Sequence, residues 1–289
     1  MDERFCLLTV HAHPDDEASK GAGTIAKYHA AGVHTVLVTC TGGEEGEILN
    51  PAMDTPEVRA SIGAVRAREL AAAAEAIGYE QVELLGYRDS GMAGAETNLN
   101  PDCFAAAPLD EAVGKLVEIV RRVRPQVIVG YGEDHSGYPH PDHIRAHEIA
   151  LAAFDASGDP GQFPGAGEPF QPLKLYYTVW SRRRIVEMHA KFLELGLESP
   201  FDDKWFERPD QEDTITTSID LSGFEDVRRV ALLAHATQID PTSKFWFGLP
   251  PEEARKIYPY DDYVLGRSLV DSELPETDLF AGIWASVSR

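Results

Sequence analysis

Apolar residues along this chain fall into two alternating kinds of block. Short, nearly unbroken apolar runs at 5–10 and 33–40 read as buried strands, and those at 82–85 and 126–131 read as further strands. Between them lie longer segments with helical spacing, at 18–31, 62–77, 109–123 and 141 to about 157. In the third, Leu116, Ile119, Val120 and Val123 share one face. Gly32 and Gly78 stand just past the first two helices and Pro125 just past the third, where helix stop signals belong. Strands alternating with helices at this spacing predict βαβ units and a mostly parallel α/β sheet flanked by helices. The Gly- and Pro-rich stretch 158–172 reads as a boundary, so the expected units are 1–165 and 166–289. In the second unit 173–179 and 214–221 read as strands and 183–195 and 224–236 as helices, while the tail from Asp261 shows no clear period.

In a sheet of this kind the binding crevice lies outside the carboxyl ends of the strands. The loops after residues 10 and 131 are therefore the places to look for chemistry, and both are dense in it. His11, His13, Asp15, Asp16 and Glu17 follow the first strand, and Tyr138, His140, Asp142 and His143 follow the fourth. Together they supply the imidazole and carboxylate mixture of a catalytic zinc site, which takes three protein ligands and leaves a position open. Iron suits the same donors, so Zn2+ is expected with Fe2+ as the alternative. A spare carboxylate can serve as general base and a spare His can stabilise an oxyanion. A single such residue in a loop is more often a cap or a turn former, and Asp15 or Asp16 can cap the helix that follows. Two clusters at two strand ends reverse that balance. Gly21, Gly23 and Ala26 match the dinucleotide pattern G-x-G-x-x-A, but they lie ten residues past the strand. They read better as close helix packing. The aromatic group Phe245, Trp246 and Phe247 can line a pocket, although such clusters are more often core.

Charge narrows the partners. Of the 289 residues 26 are basic and 48 acidic, a formal net charge of −22. Such a surface repels phosphate backbones and anionic lipids, so neither nucleic acid nor membrane is expected as a partner. No apolar run approaches the roughly eighteen residues of a spanning helix. The start, Met1-Asp2-Glu3-Arg4, carries acids where a signal peptide carries positive charge. Cys6, Cys40 and Cys103 form no C-x-x-C pair and no even set, which argues against a disulfide framework and for a reducing cytoplasm. The sequence carries no signal for oligomeric state.

The pair of motifs His13-Pro14-Asp15-Asp16-Glu17 and His140-Pro141-Asp142-His143 resembles the zinc-dependent N-deacetylase superfamily that includes the N-acetylglucosaminyl-phosphatidylinositol de-N-acetylases. Stretches 19–22, 46–54, 235–241 and 276–282 resemble its branch that cleaves thiol conjugates of glucosaminyl-inositol. Stretch 88–94 resembles the branch that deacetylates N-acetylglucosaminyl-inositol. The resemblance implies a Rossmann-like α/β domain followed by a smaller C-terminal α+β domain that completes the substrate pocket. It implies His13, Asp16 and His143 as zinc ligands, Asp15 as general base, and His140 as oxyanion stabiliser and proton donor to the leaving amine. It implies Asp142 as a carboxylate supporting His140, and Tyr138 as a mobile side chain approaching the substrate carbonyl. Lys20, Arg68 and Asp89 are implied as substrate contacts, with Lys20 the position that separates the two branches. The expected reaction is hydrolysis of an amide on the glucosamine nitrogen of a small-molecule thiol conjugate, with deacetylation as the alternative.

Overall fold

The computed structural model describes residues 4–133 and 137–284, so the acidic start and part of the 132–141 loop lie outside the described residues. The first half runs β1 (Cys6–His11), α1 (Asp16–Ser19), α2 (Ala22–Ala30), β2 (His34–Thr41), α3 (Pro56–Ala60), α4 (Ile62–Ile77), β3 (Gln81–Tyr87), α5 (Leu109–Val123), β4 (Val127–Tyr131) and α6 (Pro141–Ala156). The second half runs β5 (Lys174–Val179), α7 (Arg182–Glu194), α8 (Asp203–Phe206), β6 (Thr217–Asp220), α9 (Val227–Ala234), α10 (Lys244–Phe247), α11 (Pro251–Ala254) and β7 (Tyr260–Ser268). All seven strands join one sheet in the order β3-β2-β1-β4-β5-β7-β6. The first five are parallel, and β7 and β6 are antiparallel additions at one edge.

Alternation along the strands divides the core in two. Cys6, Leu8 and Val10 of β1 face α5 and α6, whereas Leu7 faces α2, α4 and α9. Covering both faces with helices explains why β1, β2 and β4 read as continuous apolar runs, whereas β3 lies at the edge with Val82 and Leu84 exposed. The same layering delivers the ends of β1, β2 and β4 to one rim, because β1 and β2 stay in register to His11 and Thr39 and β4 ends nearby at Tyr131.

Three features differ from the sequence reading. The helix expected at 18–31 is broken into α1 and α2 at Gly21, whose φ is +86°. A Cβ at Gly21 would lie 2.9 Å from the Tyr263 hydroxyl, and one at Gly23 would lie 3.0 Å from Leu221. These glycines let the second half approach closely, which is the packing reading and not the dinucleotide one. The unread tail contains β7, hidden because Asp261 and Asp262 interrupt its apolar pattern. Both are buried: Asp261 pairs with Arg228 and Arg184, and Asp262 Oδ1 accepts from Ser218 and Tyr258 while its Oδ2 has no partner among the described residues. Finally, the two expected units share this one sheet. Stretch 158–172 connects α6 to β5, which pairs with β4, and α9 packs on α4. Among the described residues no helix is long and apolar enough to cross a membrane.

Candidate active site

The loop after β1 and the start of α6 meet at the rim of the sheet. His140 is the N-cap of α6, its Nδ1 accepting the Asp142 backbone N–H at 3.2 Å, and Pro141 takes the first helical position, which needs no N–H. That cap places Asp142 and His143 in the first turn, facing β1. With Nδ1 occupied as an acceptor, the proton of neutral His140 sits on Nε2.

His13, Asp16 and His143 come together. Asp16 Oδ2 lies 3.4 Å from His13 Nδ1 and 3.3 Å from His143 Nε2. These separations match the edge of a tetrahedron around an ion with ligand bonds of about 2.0–2.1 Å, roughly 3.3 Å. Two imidazoles and one carboxylate fit a divalent metal with a position left open, so the donor set passes the test its chemistry poses. The other nitrogen of His13, Nε2, is held by Asp142 Oδ2 at 3.1 Å and lies 3.6 Å from Asp89 Oδ1. A carboxylate behind a ligating His fixes its orientation and raises its basicity. Asp142 therefore supports His13 with its carboxylate and His140 only through its backbone. The Asp142 carboxylate is itself anchored by the Ser90 N–H at 2.9 Å and the Ser90 hydroxyl.

Asp16 is the most heavily paired carboxylate here. It takes the Lys20 ammonium at 2.5 Å, the Tyr131 hydroxyl at 2.7 Å and the His13 N–H at 3.0 Å. Burial pushes its pKa up, but Lys20, His143 and His13 hold it well below the usual carboxylate range. Asp15 has the opposite fate. Burial and the Asp16 charge push it up to about 7. A cation held by the three neighbouring ligands would draw it back down. Burial and the adjacent His13 and His143 push His140 down to about 4.

Two chambers open from this centre. A polar chamber of about 770 Å³ is lined by Asp15, Glu45, Glu47, Arg66, Asp89 and Gln238, among others. An aromatic chamber of about 560 Å³ is lined by Tyr131, Trp180, Trp205, Phe206, Phe245 and Trp246, among others. Lys20, Tyr138 and His143 border both. Tyr138 is half exposed, its ring 5.1 Å from that of His143.

Arg68 is not brought to the site. It is exposed on α4 and does not line the polar chamber, whereas Arg66 is fully buried and does. Two residues along a helix turn the side chain through about 200°, so one of the pair must face away. Arg66 Nη2 donates to the Gly46 and Glu47 carbonyls at 2.8 and 3.2 Å. A Cβ at Gly46 would collide with that guanidinium at 2.7 Å, which explains the glycine. Sequence reasoning also passed over Tyr131, Ser90 and Gln238. For Tyr131 the signal was available, since it ends a strand whose following loop carries the second cluster.

The rim therefore gathers three candidate metal donors, a carboxylate raised toward neutrality and an imidazole whose Nε2 carries the proton. The chain belongs to the family described as GlcNAc-PI de-N-acetylase (PIG-L), whose model matches residues 8–154. It is 45% identical to the mycothiol S-conjugate amidase of Streptomyces coelicolor, over 98% of this chain and 99% of that protein. It is 42% identical to the 1D-myo-inositol 2-acetamido-2-deoxy-alpha-D-glucopyranoside deacetylase of Streptomyces avermitilis, over 96% of this chain and 97% of that protein. Among solved structures it is similar in fold to the N,N'-diacetylchitobiose deacetylase of Pyrococcus horikoshii, with a TM-score of 0.61 at 16% identity, over 90% of this chain and 83% of that one. The protein is thus a hydrolase of this family.

Proposed function

We propose that the protein is an amidase acting on mycothiol S-conjugates, cleaving the amide between glucosaminyl-inositol and S-conjugated N-acetylcysteine. The observation that carries this reading over deacetylation is the aromatic chamber. An acetyl group would leave it empty, whereas an S-substituted cysteinyl group on the same nitrogen reaches into it. Trp180 and Trp205 both stack on Phe245, with ring centroids 5.7 and 5.4 Å apart, and all three line the chamber as an aromatic wall suited to an apolar substituent. The polar chamber suits the sugar and inositol hydroxyls, which donate to carboxylates such as Asp89 and accept from Arg66. Lys20 stands where the chambers meet. In this reading residues 166–289 complete the substrate pocket, and the reducing cytoplasm where thiol conjugates form is the compartment.

His13, Asp16 and His143 would hold a divalent cation, zinc by preference, which would supply Lewis acidity and lower the pKa of water when bound. Asp15 takes the proton of the attacking water. His140 Nε2–H donates to the oxyanion as the carbonyl becomes tetrahedral, and Tyr138 closes over the same oxygen. Asp142 and Ser90 keep His13 in its tautomer. As the C–N bond breaks, Asp15 hands the proton it took from water to the departing nitrogen, so the amine leaves neutral, the acyl carbon keeps the hydroxyl, and Asp15 returns to its carboxylate form. The products are glucosaminyl-inositol and a mercapturic acid, so the role is detoxification.

The test compares kcat/KM for a mycothiol–bimane conjugate and for N-acetylglucosaminyl-inositol with the zinc-loaded protein. Preference for the conjugate is expected, and preference for the acetylated compound would transfer the protein to the biosynthetic step. Trp205→Ala should lower the conjugate-to-acetyl ratio of kcat/KM about tenfold, the equivalent of about 1.4 kcal/mol of aromatic contact. An unchanged ratio would mean that the substituent does not enter the aromatic chamber.

A further inference from the structure

Asp15 holds a backbone conformation that its own side chain does not explain. Its φ of 108° is in the region that non-glycine residues avoid. Such strain costs of order 1–3 kcal/mol and persists only where surrounding structure over-determines it. The surroundings are specific. The Asp15 N–H donates to Glu17 Oε2 at 2.9 Å, and Glu17 Oε1 meets His235 Nε2 at 2.5 Å. Glu17 and His235 are both completely buried. Three residues beyond His235, Gln238 Nε2 donates to the Pro14 carbonyl at 2.6 Å and to Asp15 Oδ2 at 3.0 Å. The segment between them is fixed in turn, because Glu69 of α4 accepts the Thr237 N–H at 2.8 Å and its hydroxyl at 2.6 Å. Among the described residues nothing hydrogen-bonds Asp15 Oδ1, and Asp15 lines the polar chamber.

We infer that Gln238, with the Glu17–His235 pair behind it, is a positioning device for Asp15. The pair pins the backbone in its strained form. Gln238 occupies one carboxylate oxygen and so presents the other, Oδ1, to the water that must be deprotonated. The device explains why a segment some 220 residues from the first motif is needed for it: the loop after α9 is the far half of the clamp on the loop after β1. Gln238 is hydrogen-bonded to Asp15 and Glu17 to its backbone N–H, so the effect of the three on turnover passes through Asp15. The inference rests on the reading of Asp15 as general base.

Kinetics on metal-loaded protein test it, with Asp15→Asn measured first. If Asp15→Asn turns over normally, the base reading itself fails. With Asp15→Asn impaired, Gln238→Ala should lower kcat by about 10–100-fold, the usual effect of removing a group that orients a reacting one. KM should move less than about threefold, and metal content and thermal midpoint should be retained. In the Asp15→Asn background, Gln238→Ala should reduce the residual rate no further, which a role elsewhere in the fold would not produce. An unchanged kcat, or a loss confined to KM, would overturn the inference, the second outcome making Gln238 a substrate contact. If Gln238→Ala does not fold, Gln238→Glu keeps the shape while setting an acceptor against Asp15 Oδ2, and the same kcat loss is expected of it.

Discussion

Asp15→Asn is expected to lower kcat by about 10²–10⁴-fold while leaving the fold and the bound metal in place. Asn has the size of Asp, and its side-chain oxygen can still accept the Gln238 amide N–H that now reaches Asp15 Oδ2 at 3.0 Å. It is not part of the proposed metal site of His13, Asp16 and His143, so metal content should not change. What is lost is the capacity to take a proton. Two other carboxylates of the site are already engaged: Asp16 by Lys20, Tyr131 and two histidines, and Asp142 by His13 and Ser90. Steady-state kinetics on the conjugate, with elemental analysis of the same samples, gives the answer. A metal-loaded variant with near-native kcat would show that another group moves the proton.

The second large effect concerns stability. Lys174→Met is expected to destabilise the protein by about 3–5 kcal/mol, a fall in Tm on the order of 10 °C. Lys174 and Glu276 form an ion pair with both side chains fully buried. The ammonium also reaches the Tyr176 hydroxyl at 3.1 Å and Ser272 at 3.2 Å, while Glu276 Oε2 accepts from Tyr176 at 2.5 Å and Thr217 at 3.0 Å. Burial pushes the Glu276 pKa up, but Lys174 and the surrounding hydroxyls hold it below the usual carboxylate value. Removing the lysine leaves a buried charge without its partner, which costs more than the pair contributes. Adding Glu276→Gln to Lys174→Met removes that charge and should recover much of the loss. Thermal unfolding of the single and double variants measures this, and equal midpoints for native and Lys174→Met protein would show the pair to be dispensable. The cluster also explains stretch 276–282. It is a structural tie, with Asp278 accepting from Tyr28 at 2.7 Å and Trp284 at 2.6 Å, and it lines neither chamber.

The β1–α2–β2 and β4–α6 units were legible because each strand is apolar on both faces and each helix carries one apolar stripe. The loops after β1 and β4 were legible as a site because donor-rich motifs stand directly at strand ends. Other parts were illegible for physical reasons. Strand β7 carries Asp261 and Asp262 in its buried stretch, so its pattern appears polar until Arg184, Arg228, Ser218 and Tyr258 arrive from elsewhere. Arg66 and Arg68 are equivalent as letters, and only the phase of α4 against the sheet decides which one enters the chamber. Gln238 is an ordinary polar residue until the loop after α9 closes on Asp15.

The local sequence by itself therefore determined the parallel sheet, the rim where chemistry occurs and the donor types available there, since these follow from periodicity and from motifs within a few residues of one another. Tertiary structure alone decided that Asp142 braces His13, that Gln238 holds Asp15, and that aromatic residues from α8, α10 and the end of β5 build a second chamber beside His143. Those features join residues far apart in the chain, and their geometry is set by how helices and strands pack, which no local pattern encodes.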